Sequence, residues 1–365
     1  MISSWILGVL SNMHVVVSNP FSWTNTVTGT GDEGQLSMTV HGGKIWLCDN
    51  ATVKSYNISD GSLVTTIDLN AYLGVTNNVS DIYAVDSNGV LWLLSRSSYH
   101  TTQPAIIRID TATGTIKDGL FGGTYRMTND FLNICGDGTT NYVWGVHENR
   151  DSGTVRKLAK IDITSGAIVN EYTLAKLYGS MVYDSVNLRL WGTSSNGVSY
   201  SMDLYTLDSG TYTPTLSTTI TPYGDLSAGQ IIRPTSGDEL VIVAQNPNNN
   251  LYNITRYNAL TGAVILNVDL SDSRLDYNTQ YQAYVNGPVK YNPVTDEIYV
   301  TVSRQATSAD PNLHELWAFH RSDLSFSRIV TPYNVTDTVW DYTIYGGNTY
   351  VLYDSTNKLV KLANG

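Results

Sequence analysis

Six tyrosines recur along the chain in polar segments that separate apolar runs: Tyr72, Tyr125, Tyr178, Tyr223, Tyr281 (with Tyr277 and Tyr284 nearby) and Tyr333. A tyrosine among amide and hydroxyl side chains offers apolar ring area and a phenolic hydrogen bond, which is the chemistry of glycan or protein contact. The competing reading is that each ring packs between neighbouring repeats. Two denser polar clusters, His147-Glu148-Asn149-Arg150-Asp151 and His314-Glu315, read as solvated loops. None of the six histidines has metal-ligand spacing. Asp269, Asp272 and Asp276 could line a cation site, but their spacing matches no calcium loop. No Gly-x-Ser-x-Gly, phosphate loop or dinucleotide fingerprint stands in a strand-turn-helix setting. The expectation is a chain with no catalytic residues, no metal and no cofactor.

Cys48 and Cys135 fall in different repeats with a whole repeat between them, so they read as small buried hydrophobes rather than a disulfide. Acceptor sequons stand at Asn50, Asn57, Asn78, Asn253 and Asn334. In a chain this rich in Asn, Ser and Thr, chance supplies about that many, so alone they say nothing about glycosylation.

The elements that must position these residues form a repeat. Apolar strands centred on a large residue recur at Trp46, Trp92, Trp144, Trp191, Val241, Tyr299 and Tyr350, with spacings of 46, 52, 47, 50, 58 and 51 residues. A second strand and a hairpin turn precede them, as in Ile82–Val85 with Asp86-Ser87-Asn88-Gly89. A third strand follows and ends in an Asp- and Gly-containing turn, as in Ile109-Asp110-Thr111-Ala112-Thr113-Gly114 and Ile161-Asp162-Ile163-Thr164-Ser165-Gly166. The turn recurs at Ser59-Asp60-Gly61, Asp208-Ser209-Gly210 and Leu260-Thr261-Gly262, with Ser325 replacing the glycine in the sixth copy. An Asp that caps its own turn and a Gly that enters the left-handed region return the chain as a fourth strand. Seven four-stranded antiparallel repeats, without helical periodicity, describe an all-β, seven-bladed β-propeller. Trp46, Trp92, Trp144 and Trp191 are expected between blades.

The seventh repeat stops where its fourth strand should begin. The β-prone segment Trp23–Thr28 is expected to supply that strand, pairing around Lys358–Leu362 and closing the last blade. The domain reading is therefore an apolar arm, 1–22, and one propeller, 23–365. The run Ile-Tyr-Val-Thr-Val-Ser at 298–303 and the Ile-Asp-x-x-(Thr/Ser)-Gly turns at 109–114 and 161–166 resemble YVTN and quinoprotein-like propeller repeats. The resemblance covers nearly all of the chain from about residue 23 and rests on structural residues; it implies a fold and no catalytic motif.

With 42% hydrophobic and 15% charged residues in 365, the composition is that of an ordered protein with a sizeable core. The net charge of −11, without a run of Lys or Arg, excludes nucleic acid as a partner, and no stretch is long and apolar enough for a transmembrane helix. The apolar arm, with Trp5, Ile6, Leu7, Val9 and Leu10, has no place in the repeat and reads as an assembly anchor onto other protein subunits. The function expected is a non-catalytic structural or receptor-binding propeller of an extracellular assembly, a virus or phage particle protein engaged in host recognition. The alternatives are a secreted or cell-surface glycan-binding propeller and a propeller enzyme (hydrolase, lyase or quinoprotein).

Overall fold

The computed structural model describes residues 20–22, 36–49, 52–73, 80–95, 104, 106–121, 129–136, 141–149, 155–174, 180–195, 200–221, 225–235, 237–245, 252–269, 284–285, 289–304, 313–331, 339–353 and 358–363. Almost all of them lie in strands and tight turns; one helical turn spans Leu69–Leu73. The chain divides into two compact units, taken in turn.

The first unit, Asn25–Asp225 with Ala259–Gly262, holds four antiparallel sheets, each with its four strands in sequence order. Blade 1 is Leu36–His41, Lys44–Asp49, Thr52–Asn57 and Leu63–Asp68; blade 2 is Ser80–Val85, Val90–Ser95, Ile106–Asp110 and Thr115–Leu120. Blade 3 is Asn129–Cys135, Tyr142–Asn149, Val155–Asp162 and Ile168–Thr173; blade 4 is Ser180–Asp184, Arg189–Ser195, Tyr200–Leu207 and Pro214–Ile220. The second unit comprises Met1–Thr24, Leu226–Asn258 and Ala263–Gly365. Its blade 5 is Asp225–Ile232, Glu239–Gln245, Tyr252–Asn258 and Val264–Asp269. In blade 6 the first strand is split into Tyr284–Val285 and Lys290–Asn292, both paired with Glu297–Arg304, followed by Leu313–His320 and Phe326–Ile329. Blade 7 is Val339–Tyr345, Asn348–Tyr353 and Lys358–Ala363.

The missing fourth strand of blade 7 comes from the N-terminal region, where Pro20–Ser22 are the described residues that pair with Lys358–Val360. Pro20 pairs with Val360, Phe21 with Leu359 and Ser22 with Lys358. Residues 23–28 lie outside the described residues.

The second strands lack alternation because neighbouring blades cover both faces. Val90, Trp92 and Leu94 join a core with Val143, Ala159 and Ile161 of blade 3. Leu91 and Leu93, on the opposite face, join Trp46, Cys48 and Val53 of blade 1. Trp144 lies in the core between blades 3 and 4, with Met181, Tyr183 and Leu190. All four tryptophans are at most 2% exposed, as the repeat predicts, and Trp191 Nε1 donates to Ala259 O at 3.0 Å. Cys48 and Cys135 are buried thiols that form no disulfide.

The third–fourth turns are built on capped aspartates: Asp110 Oδ1 accepts Ala112 N at 2.8 Å, Asp162 Oδ1 accepts Ser165 N at 2.8 Å and Asp208 Oδ1 accepts Thr211 N at 2.7 Å. Gly61, Gly114, Gly166 and Gly262 hold the left-handed position, with φ of 68–72°. In blades 4 and 6 that position is occupied by Tyr212 (φ 59°) and Leu324 (φ 57°), not by Gly210 or Ser325. Their amides close the same turn, Tyr212 N to Asp208 O and Leu324 N to His320 O, as Gly114 N does to Asp110 O and Gly166 N to Asp162 O. Leu324 is 2% exposed, so core packing compensates for the backbone strain.

Every third–fourth strand pair of blades 1 to 6 carries one bulge just after this turn. The extra residues are Val64, Lys117, Val169, Ser217, Ile265 and Ser327. A bulge twists an edge away from straight pairing, so each of these outer edges is blunted against adding a foreign strand.

Candidate functional site

Of the expected contact tyrosines, Tyr72 lies among the described residues; Tyr125, Tyr178, Tyr223, Tyr281 and Tyr333 lie outside them, as do Trp5, Ile6, Leu7, Val9 and Leu10. Tyr72 projects from the helical turn after blade 1 and is 44% exposed. Its hydroxyl end rests on the outer strand of blade 2: a Cβ on Gly119 would stand 2.8 Å from the Tyr72 hydroxyl oxygen and 2.7 Å from Pro104 Cγ. Burial, and then the nearby charge of Asp118, raise its pKa. The ring is thus partly an inter-blade packing element, and its remaining exposed face is available for contact.

His147 does not lie in a solvated loop; Arg150 and Asp151 of its cluster lie outside the described residues. His147 lies within the second strand of blade 3, directly opposite Lys157 of the third strand, and is 1% exposed. Its Nε2 stands 3.0 Å from Glu171 Oε1, and Lys157 Nζ donates to Glu171 Oε2 at 2.6 Å. Burial holds the His147 pKa below its ordinary value, opposed by the Glu171 charge. Burial raises Glu171 in turn, but the hydrogen bond from Lys157 and the charges of His147 and Lys157 outweigh it, leaving Glu171 below the usual carboxylate range. The result is a neutral imidazole beside a matched ion pair, spanning the second to fourth strands. A general base must reach a substrate proton, and His147 at this burial presents no face to one. The group ties together the second, third and fourth strands of blade 3.

His314-Glu315 resolves similarly. Glu315 is fully buried in the third strand of blade 6, and its Oε2 accepts the Trp317 Nε1 proton at 2.8 Å. Asp269, at the exposed end of the fourth strand of blade 5, pairs in register with Asn253; Asp272 and Asp276 lie outside the described residues. Among the described residues no group of three His, Cys, Asp or Glu could hold a metal ion.

The turns at the opposite strand ends carry charged side chains that the sequence reading did not single out. Arg108, 1% exposed, donates through Nε to Asp118 Oδ1 at 2.6 Å and through Nη2 to Asp118 Oδ2. Its Nη1 reaches Ile163 O of blade 3 at 2.7 Å, and its guanidinium lies 5.1 Å from the Trp92 ring centroid. Arg256 makes the equivalent connection from blade 5, donating to both Glu239 oxygens at 2.7 and 2.6 Å and to Ser322 O of blade 6 at 3.0 Å. Arg321 bridges Glu239 and Asp296 at 2.9 and 2.7 Å, and the Tyr291 hydroxyl donates to Asp296 at 2.7 Å. Burial and that hydrogen bond push the Tyr291 pKa up to about 12. Lys160 sits between the faces of Tyr142 and Tyr212, 3.7 and 3.6 Å from their centroids. The available signal was positional: Arg108 and Lys160 stand opposite Trp92 and Trp144 in the sheet, and Arg256 stands opposite Val241 at the same place. A basic residue recurring there in third strands is a structural tie between blades.

No protein-family model matches the sequence, and no curated protein matches it. Solved structures do. The Neurospora crassa Pan2 WD40 domain superimposes with a TM-score of 0.59 at 11% identity, covering 95% of this chain and 94% of that one. A chain of the mitotic checkpoint complex superimposes with a TM-score of 0.57 at 13% identity, covering 90% of this chain and 86% of that one. The fold is a seven-bladed β-propeller. Of the resemblance to YVTN and quinoprotein-like repeats, the likeness supports the seven-bladed propeller architecture. At these identities the similarity shows the fold and carries no activity.

Proposed function

We propose that the chain is a non-catalytic scaffold for protein partners. The observation that carries this reading is the internal use of its strongest polar groups. His147 with Glu171 and Lys157, Glu315 with Trp317, Arg108 with Asp118, and Glu239 with Arg256 and Arg321 are each buried or partly buried against a partner within the fold. Residues engaged in holding strands and blades together leave binding to surfaces and connecting segments. One solved propeller of this fold comes from a multi-protein complex, which is compatible with the same use here.

In its finer form, the scaffold is a structural or receptor-binding component of an extracellular particle such as a virion. Residues 1–19 anchor it to other subunits, and the segments between second and third strands make the contacts with the target. Low charge and abundant Thr, Ser, Asn and Tyr support that reading. The test is a chain lacking residues 1–19 but retaining Pro20–Ser22, which pair with blade 7. It should fold, with an unchanged unfolding midpoint, and fail to co-purify with its assembly. Full occupancy of the truncated chain in the assembly would overturn the anchoring role.

A further inference from the structure

Two of the five sequons fall among the described residues, and they meet opposite surroundings. Asn57 ends the third strand of blade 1, and its Nδ2 donates to Ser62 Oγ at 2.7 Å on an exposed turn. Asn253, in Asn253-Ile254-Thr255, lies inside the third strand of blade 5, in register with Ala244 on one side and Asp269 on the other. Asn253 is 1% exposed and Thr255 3% exposed, and Thr255 Oγ1 donates to Asn267 Oδ1 at 2.7 Å.

An N-linked oligosaccharide is a bulky, hydrated group that belongs on a surface. From Asn253 it has no route outward, because strands flank the residue on both sides. Nor would a slip in register release it. A slip by one residue moves each side chain to the opposite face of the sheet, and here both faces are occupied: every residue from Tyr252 to Tyr257 is buried. The fold tolerates a glycan at Asn57 and excludes one at Asn253.

The order of synthesis sharpens the conflict. Asn253 is protected only once the outer strand Val264–Asp269 has paired with it, so at least sixteen further residues must be available first. An enzyme that glycosylates chains as they enter a secretory compartment meets the extended sequon before that. A glycan attached then would block the third strand of blade 5.

We infer that this chain is made and folded in a compartment without N-linked oligosaccharide transfer. Under the particle reading, copies fold before release rather than passing through a glycosylating secretory route; the inference itself stands on Asn253 and is independent of the scaffold role.

The test expresses the full chain with a secretion signal in cells that N-glycosylate, and without it in the bacterial cytosol. The cytosolic product should fold. The signal-directed product should carry glycan on Asn253, be retained or aggregated, and reach the medium at a several-fold lower level than the same chain expressed with an inhibitor of lipid-linked oligosaccharide synthesis. Thr255→Val, checked first for folding in the cytosol, should restore secretion without the inhibitor, whereas Asn57→Gln should not. The inhibitor arm uses the unaltered chain, so a folding defect of the variant leaves the test intact. Folded secreted protein with the cytosolic unfolding midpoint, from cells in which Asn57 carries glycan, would overturn the inference, as would failure of the inhibitor to raise secretion.

Discussion

Replacing Arg108 with Met keeps most of the apolar stem and removes the guanidinium that ties blade 2 to blade 3. Three losses follow. Ile163 O loses its 2.7 Å donor, and a buried carbonyl without a partner costs about 1–3 kcal/mol. The guanidinium over Trp92, 5.1 Å from the centroid and shielded from water, contributes about 1–2 kcal/mol. Asp118 loses its bidentate partner but is 37% exposed, so water screens the pair and its share is held to about 1 kcal/mol or less. The expected destabilisation is about 3–5 kcal/mol. At about 2.1 cal/mol/K of unfolding entropy per residue over 365 residues, the midpoint should fall by about 4–6 °C. Thermal unfolding followed by circular dichroism at one scan rate measures it, with Asp118→Asn as comparison. That variant should move the midpoint by only about 1 °C, because the Ile163 and Trp92 contacts survive. Equal shifts for the two variants would mean that the exposed ion pair, not the inter-blade tie, carries the energy, and a shift under about 1 °C for Arg108→Met would refute the assignment outright.

Deleting residues 1–22 removes the fourth strand of blade 7 and should lower the midpoint or prevent folding, whereas deleting 1–19 should not; thermal scans of the two truncations decide it. Trp92→Ala and Trp144→Ala, at 0% and 1% exposure, should each cost about 3–5 kcal/mol in denaturant unfolding. Gly166→Ala should destabilise, since φ is 72° and the new Cβ would stand 2.5 Å from Leu120 Cδ2, while Gly42→Ala, with no atom within 4 Å, carries only the strain of its φ of 59°; paired midpoints test the difference. Because His147 has a folded pKa below its ordinary 6.5, the unfolded chain binds the proton first, and stability is lost as pH falls below 6.5 toward the folded value. His147→Gln should flatten that part of a stability-versus-pH profile. Asp162, whose pKa its turn amides hold below 3.8, adds stability above that value that is lost as pH falls further, a loss Asp162→Asn should abolish.

The architecture was legible where one short stretch of chain carries its own reason. Second strands read as strands because residues such as Val90 to Leu94 are apolar throughout, and a run buried on both faces needs no alternation. The glycine turns were readable for the same reason. Tyr212 and Leu324 were not: neither prefers the left-handed region, and they are held there by the capped turn and by packing that the surrounding sequence does not announce. The pairing of Pro20–Ser22 was not legible, because it is set by register with Lys358–Val360 at the far end of the chain. The bulges at Val64, Val169 and Ile265 likewise depend on how two strands align.

The same distinction governs the polar residues. His147 looked like part of a loop because Glu, Asn, Arg and Asp follow it, all weak strand formers. What keeps it in a buried strand is Lys157 across the hairpin and Glu171 a further strand away, 24 residues along the chain. Glu315 carried a nearer signal: in Glu315-Leu316-Trp317, positions two apart share a face, so the carboxylate and the indole N–H were placed to meet. A charged residue two positions from a tryptophan in an otherwise apolar strand therefore marks a buried hydrogen bond more readily than a catalytic group. Applied to Trp92, the rule needs the hairpin as well, since its indole donates to Asp86 Oδ2 at 2.8 Å across the first turn, and that same carboxylate caps the turn through the amides of Asn88 and Val90. One aspartate thus fixes a turn and a core tryptophan together, so Asp86, on a surface turn in sequence yet 3% exposed, belongs to the core.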